Sequence, residues 1–534
     1  MFTVKYDPAC ECNGKMEDTI VEYGKNTRLR SNIFSREGYT FVGWDANRIS
    51  DDSHCYVNSK TGERRYFKEG KNGKEYVRHY YSDQCFVSKL SRVENDIIIM
   101  RAVWKQDMIQ KNVRRAEENK DAVRNKILNS NVVLIGEAKC IEEFYMRYCS
   151  MLDVRKMIIT ESLVGGVNSC LNMQIYKDGM VCKSEFYILC AKVKTRGDSV
   201  YKRVKTIMDR NNLHITENYI RSDMADAILD QKRIFMWYGY CQVQVLGMQI
   251  FSKVLENAAC FYFRYDLDTL CNSYKYMDGI ELLKLCDYLI YVPIMFDDGK
   301  IDYNFDEYLP LECIKLRIPR MPFMGLYPYR TSSFEAFYKY SVDKKLHWPF
   351  AYEESIIDRY ILDGKDNEYI YSELMRHDLI DKKVIEKQLK FSFKSIEIAE
   401  SQADIKILDY IKDNFRERKC YRDGLHYENF IYFELARRIS NKLELNCLDH
   451  INKLEENQSS EIIDYTEVPI LQCVADVLGV KWVNDTTTYR VRFTEKGEWR
   501  GKASIKIVNR KEWINMYCDY TRANITLLKM WNLF

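Results

Sequence analysis

Two side chains in this 534-residue chain pair a reactive type with a chemically useful setting, Cys241 and His426. Cys241 follows the apolar run Arg233-Ile-Phe-Met-Trp-Tyr238. It sits in Gly239-Tyr240-Cys241-Gln242, ahead of a stretch with Val245, Leu246, Met248, Ile250 and Val254 at helical spacing. The pattern predicts a strand, a turn at Gly239 and an amphipathic helix that opens at the cysteine. A thiol at a helix start lies beside unpaired backbone N–H groups and the positive end of the helix dipole. Both favour thiolate and lower the usual pKa of about 8.5, and the same N–H groups can hold an oxyanion. Packing behind the strand is the competing reading of Cys241.

His426 is one of only seven histidines and lies in Cys420-Tyr-Arg-Asp-Gly-Leu-His426-Tyr-Glu-Asn429. That loop enters a predicted helix over 430–439, with Leu435, Ala436 and Ile439 on one face. An imidazole on a loop beside Asn429 is better placed for proton transfer than for packing. A cysteine nucleophile with a histidine base points to acyl chemistry, the imidazole being oriented by Asn429 or by a carboxylate. Glu397, Glu400, Asp404 and Asp423 all stand as candidates for that third group. Arg317 has the planar fork that pairs with phosphate, or else is a structural arginine. Four of the eight prolines fall between Pro310 and Pro328, which predicts a rigid loop walling the site. Tyr327 and Tyr329 in that loop are candidates to stack on an adenine or a sugar.

These residues need a sheet edge to meet on. Further strands are readable at 260–265, 288–293 and 313–318, which predicts an open α/β sheet with helices on its faces. In such sheets ligands sit outside the carboxyl ends of the strands, where Cys241 would lie. Upstream, Val132-Val-Leu-Ile135-Gly136, Met157-Ile-Ile-Thr160 and Phe186-Tyr-Ile-Leu-Cys190 come at βαβ spacing. The turn Gly136-Glu-Ala-Lys-Cys140 lacks the glycines of a dinucleotide loop, so a scaffold or docking role is expected. Residues 106–129 are rich in Lys, Arg and Glu and predict an exposed linker helix. The first 105 residues alternate as strands, with Phe2, Val4 and Tyr6 sharing one face and Ile97, Ile99 and Arg101 another. The predicted fold class is therefore α/β and multidomain. Its parts are a β-rich unit at 1–105, a helical linker at 106–129, a small Rossmann-like domain at 130–228 and an open sheet with additional helices at 229–534.

Two resemblances carry more than these patterns do. The opening Phe-x-Val-x-Tyr-Asp, then Gly38-Tyr39-Thr-Phe41-Val-Gly43-Trp44 and Met100-Arg-Ala-Val-Trp104, resemble the internalin B-type, β-grasp-like repeat. In that repeat Gly38 would permit a turn while Trp44 and Trp104 fill the core, and the single copy suggests a module that docks protein partners. Gly239-Tyr-Cys241-Gln242, Leu309-Pro-Leu-Glu-Cys-Ile-Lys-Leu-Arg317-Ile-Pro319-Arg-Met-Pro322-Phe-Met-Gly325-Leu-Tyr-Pro328, His426-Tyr-Glu-Asn429 and Val468-Pro-Ile-Leu-Gln-Cys-Val-Ala-Asp-Val-Leu-Gly479 come in the order of the WcbI family of polysaccharide biosynthesis enzymes. This resemblance covers 233–534. It implies an α/β enzyme that binds coenzyme A and acylates capsular or related surface polysaccharide. Cys241 and His426 would be catalytic, and Gly239, Gln242, Arg317 and Asn429 would face the cofactor. Two positions depart from the family: Tyr240 replaces an asparagine and Tyr427 a proline. The first departure removes an amide that could orient substrate, so a silent binding protein is one alternative. A deacylase of acylated glycans is another.

Composition narrows the partners. Lys plus Arg (81) nearly cancels Asp plus Glu (78), so no global field holds the chain on nucleic acid or an anionic membrane, and a small-molecule or sugar partner fits better. No basic segment followed by an apolar one opens the sequence, and no apolar run of about 18 residues occurs, which predicts a cytoplasmic protein without a transmembrane segment. Eighteen scattered cysteines fit a reducing compartment. Cys10, Cys12, Cys55 and Cys85 match zinc-ligand spacing poorly, and no metal is expected.

Overall fold

The computed structural model describes residues 1–8, 13–36, 39–46, 53–57, 64–70, 73–76, 80–81, 84, 86–88, 90–91, 93–106, 115–159, 173–177, 179–191, 200–264, 282–293, 305, 308–331, 350, 353–457, 466–494, 503–523 and 525. Gly38, Cys10, Cys12 and Cys85 lie outside these residues, as do the side chains of Cys55 and Trp104. The architecture is mixed α/β, with several sheets and many helices.

The first sheet pairs Phe2–Asp7 in parallel with Asp96–Gln106, flanked by Thr19–Val21 and Tyr39–Ala46. Alternation sorts its faces. Phe2, Val4, Ile98, Met100 and Ala102 are buried around Trp44, while Ile97, Ile99 and Arg101 lie on the exposed side. Of the helix expected over 106–129, Ala116–Asn129 is helical among the described residues, while Gln106 closes the preceding strand. The helix is not wholly exposed. Asn119, Val123 and Ile127 are buried, and Lys120 Nζ forms an ion pair of 2.8 Å with Asp287. Its sparse apolar positions fall on one stripe, and that stripe is docked.

The second sheet is all parallel, in the order Gln174–Ile175, Val154–Ile158, Asn131–Gly136, Glu185–Cys190, Tyr219–Arg221. The turn after its central strand is stitched shut, since the Glu137 N–H donates to the Cys190 carbonyl at 2.8 Å. A single apolar cluster runs from this sheet onto one face of the third, joining Ile188 and Met224 to Ile234, Met236 and Leu289.

The third sheet is parallel throughout, in the order Ala258–Arg264, Arg233–Gly239, Tyr288–Tyr291, Ile314–Arg317. Arg233–Gly239 is buried on both faces after its first residue, as a central parallel strand should be. Strand order reverses at this strand, so the crevice beside its carboxyl end is the expected ligand edge. The helical segment that follows covers 241–254, with a π-helical stretch at Leu246–Phe251. Leu246, Ile250 and Val254 are buried as the spacing predicts, whereas Met248 faces outward. Gly247 allows the helix to lie directly on the indole of Trp237, because a Cβ there would come within 2.5 Å of the ring. Replacing Gly247 with Ala should cost about 1–3 kcal/mol by overpacking a fully buried Trp, measured as a lower denaturant midpoint.

Candidate active site

The carboxyl end of Arg233–Gly239 turns sharply into the helix. At Gly239 φ is +154°, and a Cβ would come within 2.6 Å of Val243. Tyr240 precedes the first helical turn and Cys241 opens it. The second component is the loop 420–428, folded back on itself: the Glu428 N–H donates to the Cys420 carbonyl at 2.9 Å, and the Arg422 N–H to the His426 carbonyl at 2.8 Å. Gly424 takes the left-handed conformation at its tip (φ +81°), and its carbonyl accepts from the Phe323 N–H at 2.7 Å.

Although 185 residues apart, the two segments meet with Cys241 Sγ 3.3 Å from His426 Nε2. On the other side of the ring, Nδ1 lies 2.7 Å from Asp423 Oδ2. The second oxygen of Asp423 accepts the backbone N–H groups of Leu425 (3.0 Å) and His426 (2.8 Å). A carboxylate only accepts, so Nδ1 carries the proton and Nε2 is presented to the sulfur. His426 and Asp423 are 3% and 1% exposed, whereas Cys241 is partly open. Burial alone disfavours the imidazolium. The Asp423 carboxylate and the Cys241 sulfur outweigh it, and the pKa of His426 is pushed up to about 10.

Asp423 therefore stands out from the four carboxylates open to sequence reading. Glu397 is an exposed partner of Lys394 at 2.8 Å, and Glu400 accepts from the Leu408 N–H at 2.7 Å. Asp404 grips Arg317, at 2.9 Å to Nη2 and 3.2 Å to Nε. Burial opposes ionisation of Asp404, but the guanidinium still holds its carboxyl below the usual range. The Arg317 fork expected on a phosphate is thus engaged within the protein. Gln242 is also committed: its Nε2 donates to the Pro319 carbonyl (2.9 Å) and its Oε1 accepts from the Tyr427 hydroxyl (2.7 Å). One amide thus bolts together the helix start, the proline-rich loop and the histidine loop. Asn429 Oδ1 accepts from Arg422 Nη2 at 3.1 Å. Tyr327 is buried with its hydroxyl on the Tyr421 carbonyl (2.9 Å), and Tyr329 is partly buried against the core.

Sequence reading passed over two features. Arg320 is exposed, with its guanidinium 5.1 Å from the ring centre of Tyr240. A buried ionic network also braces the loop: Lys419 Nζ pairs with Glu467 (2.7 Å) and Glu428 (3.3 Å), and Arg422 with Glu428 (3.2 Å). The run Lys419 to Glu428 is rich in charge, but only the fold brings Glu467 to it. Among the described residues no group of three or more His, Cys, Asp or Glu is placed to hold a metal, and no helix is long and apolar enough to cross a membrane. No disulfide joins the cysteines whose side chains are described. A cavity of about 320 Å³ lined by Lys253, Leu255, His450 and Lys453 lies at the far end of the 241–254 helix, away from the sulfur.

Residues 238–448 match the family model described as polysaccharide biosynthesis enzyme WcbI. A solved structure of WcbI, described as a novel polysaccharide biosynthesis enzyme in its native form without a disulfide bond between coenzyme A and a cysteine, is similar at 15% identity and a TM-score of 0.41. The similarity covers 56% of this chain and 94% of that one. No curated protein matches the chain.

The raised pKa of His426 has a stability signature. Because the folded value exceeds the unfolded one, the imidazolium contributes stability that is fully present below about pH 6.5 and is lost as pH rises through about 10. The difference in melting temperature between the wild type and His426→Gln should therefore shrink between pH 7 and pH 10. A difference that stays constant over this range would contradict the buried ion pair.

Proposed function

We propose that the chain is an acyltransferase of surface-polysaccharide biosynthesis that moves an acyl group from coenzyme A to a sugar hydroxyl, with Cys241 as nucleophile and His426 as base and acid. The observation that carries this reading is the Cys241–His426–Asp423 relay, with sulfur, imidazole and carboxylate in line at 3.3 and 2.7 Å. The sulfur is the accessible end and the carboxylate the buried one, the polarity a covalent acyl relay requires. The match to an enzyme family over 238–448 supports the substrate class.

The residues around the sulfur suit a ligand bearing phosphates. Arg317 is spent on Asp404, but Arg320 is exposed beside Tyr240 and offers its guanidinium to a phosphate, with Tyr240 as its platform. Coenzyme A would supply the acyl group as a thioester and leave as a free thiol. With its proton held on His426 Nε2, Cys241 takes the acyl group onto its sulfur, the Gln242 backbone N–H in the first helical turn supports the oxyanion, and His426 gives that proton to the departing thiolate, which leaves as a thiol. His426 then takes the proton of the sugar hydroxyl as that oxygen attacks the acyl-cysteine, which frees the sulfur. Asp423 holds the ring and its tautomer through both steps. The segments before this site we read as a β-grasp-like, partner-docking repeat at 1–105 and a Rossmann-like scaffold at 130–228.

Cys241→Ala should abolish transfer of a radiolabelled acetyl group to glycan, and Asp423→Asn should lower kcat by about 10²- to 10⁴-fold with little change in KM. Undiminished turnover in Cys241→Ala would remove the covalent step. Saturating coenzyme A should raise the melting temperature, since ligand at 100 times its Kd stabilises by about 2.7 kcal/mol. Release of acyl groups from glycan with no such shift would favour a deacylase instead.

A further inference from the structure

The helix Lys382–Ser401 carries two faces. One buries Ile385, Ser392 and Ile396, and it packs closely enough on Gly325 that a Cβ there would come within 3.1 Å of Leu389. The opposite face exposes Val384 (47%), Phe391 (67%) and Ile398 (45%). Spaced seven residues apart, the three drift by only about 20° per step and form a stripe along the helix. Lys383, Lys387, Lys390 and Lys394 are exposed beside them. Two glutamates of the helix are taken by lysines, Glu386 by Lys382 (3.8 Å) and Glu397 by Lys394 (2.8 Å). Lys383, Lys387 and Lys390 keep no carboxylate partner among the described residues.

We infer that this face is a docking surface for an anionic phospholipid bilayer, on which the helix lies flat with Phe391 inserted between headgroups and its lysines reaching out to lipid phosphates. A helix with spaced apolar side chains set among lysines is the composition of interfacial binding, where stems lie along the apolar boundary and ammonium groups stay with the headgroups. A second copy of the chain fits poorly, because a two-fold contact would set these lysines against their own copies. A protein groove fits poorly too. Grooves read apolar anchors at i, i+3, i+4 and i+7, and here the i+3 positions after Val384 and Phe391 are Lys387 and Lys394. The balanced charge of the whole chain is no obstacle, since the attraction is local and decays within a Debye length. This surface does not depend on the acyl-transfer reading, although the turn Met324–Leu326 under the helix also touches Gly424 of the histidine loop.

The test is flotation of the full chain with phosphatidylcholine vesicles containing one-third phosphatidylglycerol, and with phosphatidylcholine alone, in low and high salt. Wild type should float with the anionic vesicles only, and less in high salt. Phe391→Glu combined with Ile398→Glu should lose binding. Lys387→Gln combined with Lys390→Gln, both at exposed positions, should weaken partitioning about tenfold or more. Unchanged melting temperatures separate these effects from misfolding, and the lysine pair serves alone if the first variant unfolds. No flotation in low salt, undiminished flotation of both variants, or concentration-dependent self-association that Phe391→Glu abolishes would each overturn the inference.

Discussion

The contact on which the site depends is the 2.7 Å pairing of Asp423 with His426 inside a loop that excludes water. A charge in such a place is tolerated only when it is paired and its remaining lone pairs are satisfied. The loop meets that condition locally. With one oxygen on the ring and the other on two backbone N–H groups, Asp423 is both the partner of the imidazole and the cap that shapes the turn. Gly424 supplies the left-handed backbone that allows the Asp-x-x-His spacing to close, where a side chain would press on Met324 and Tyr327.

The sulfur reaches this ring by a different route. A central parallel strand, buried on both sides, fixes the position of Gly239, and the helix after it rests on Trp237 through Gly247. Gln242, one residue beyond the cysteine, then couples helix to loop through the Tyr427 hydroxyl and the Pro319 carbonyl. Burial, and after it the charge of the Cys241 sulfur, push the phenol pKa of Tyr427 upward, so Tyr427 remains a neutral donor in that bridge.

Much of this was legible from residue types. A strand ending in glycine before a cysteine, and a loop histidine before an amphipathic helix, are local patterns, and both are present where the sequence places them. The partner of the imidazole was not, because Glu397, Glu400, Asp404 and Asp423 differ only in what the fold sets beside them. The setting of Arg317 was hidden for the same reason: Asp404, 87 residues on, arrives at its fork. Gln242 has the type of a ligand contact, but its amide is used up by two chain segments distant in sequence. The linker helix was judged by its charge, and the stripe of Val123 and Ile127 that docks it is too sparse to stand out in the sequence.

The histidine loop is also held from behind by residues beyond the segment that matches the family model. The Val468 N–H donates to the Arg422 carbonyl, Glu467 takes Lys419, and the Trp482 indole donates to the Phe415 carbonyl. Residues 466–482 are thus a strap across the back of the site, and the enzyme-like unit does not end at 448. A chain cut after 448 would keep every atom of the Cys–His–Asp relay yet leave Lys419 without Glu467, with the loop exposed along a seam that the strap now keeps dry.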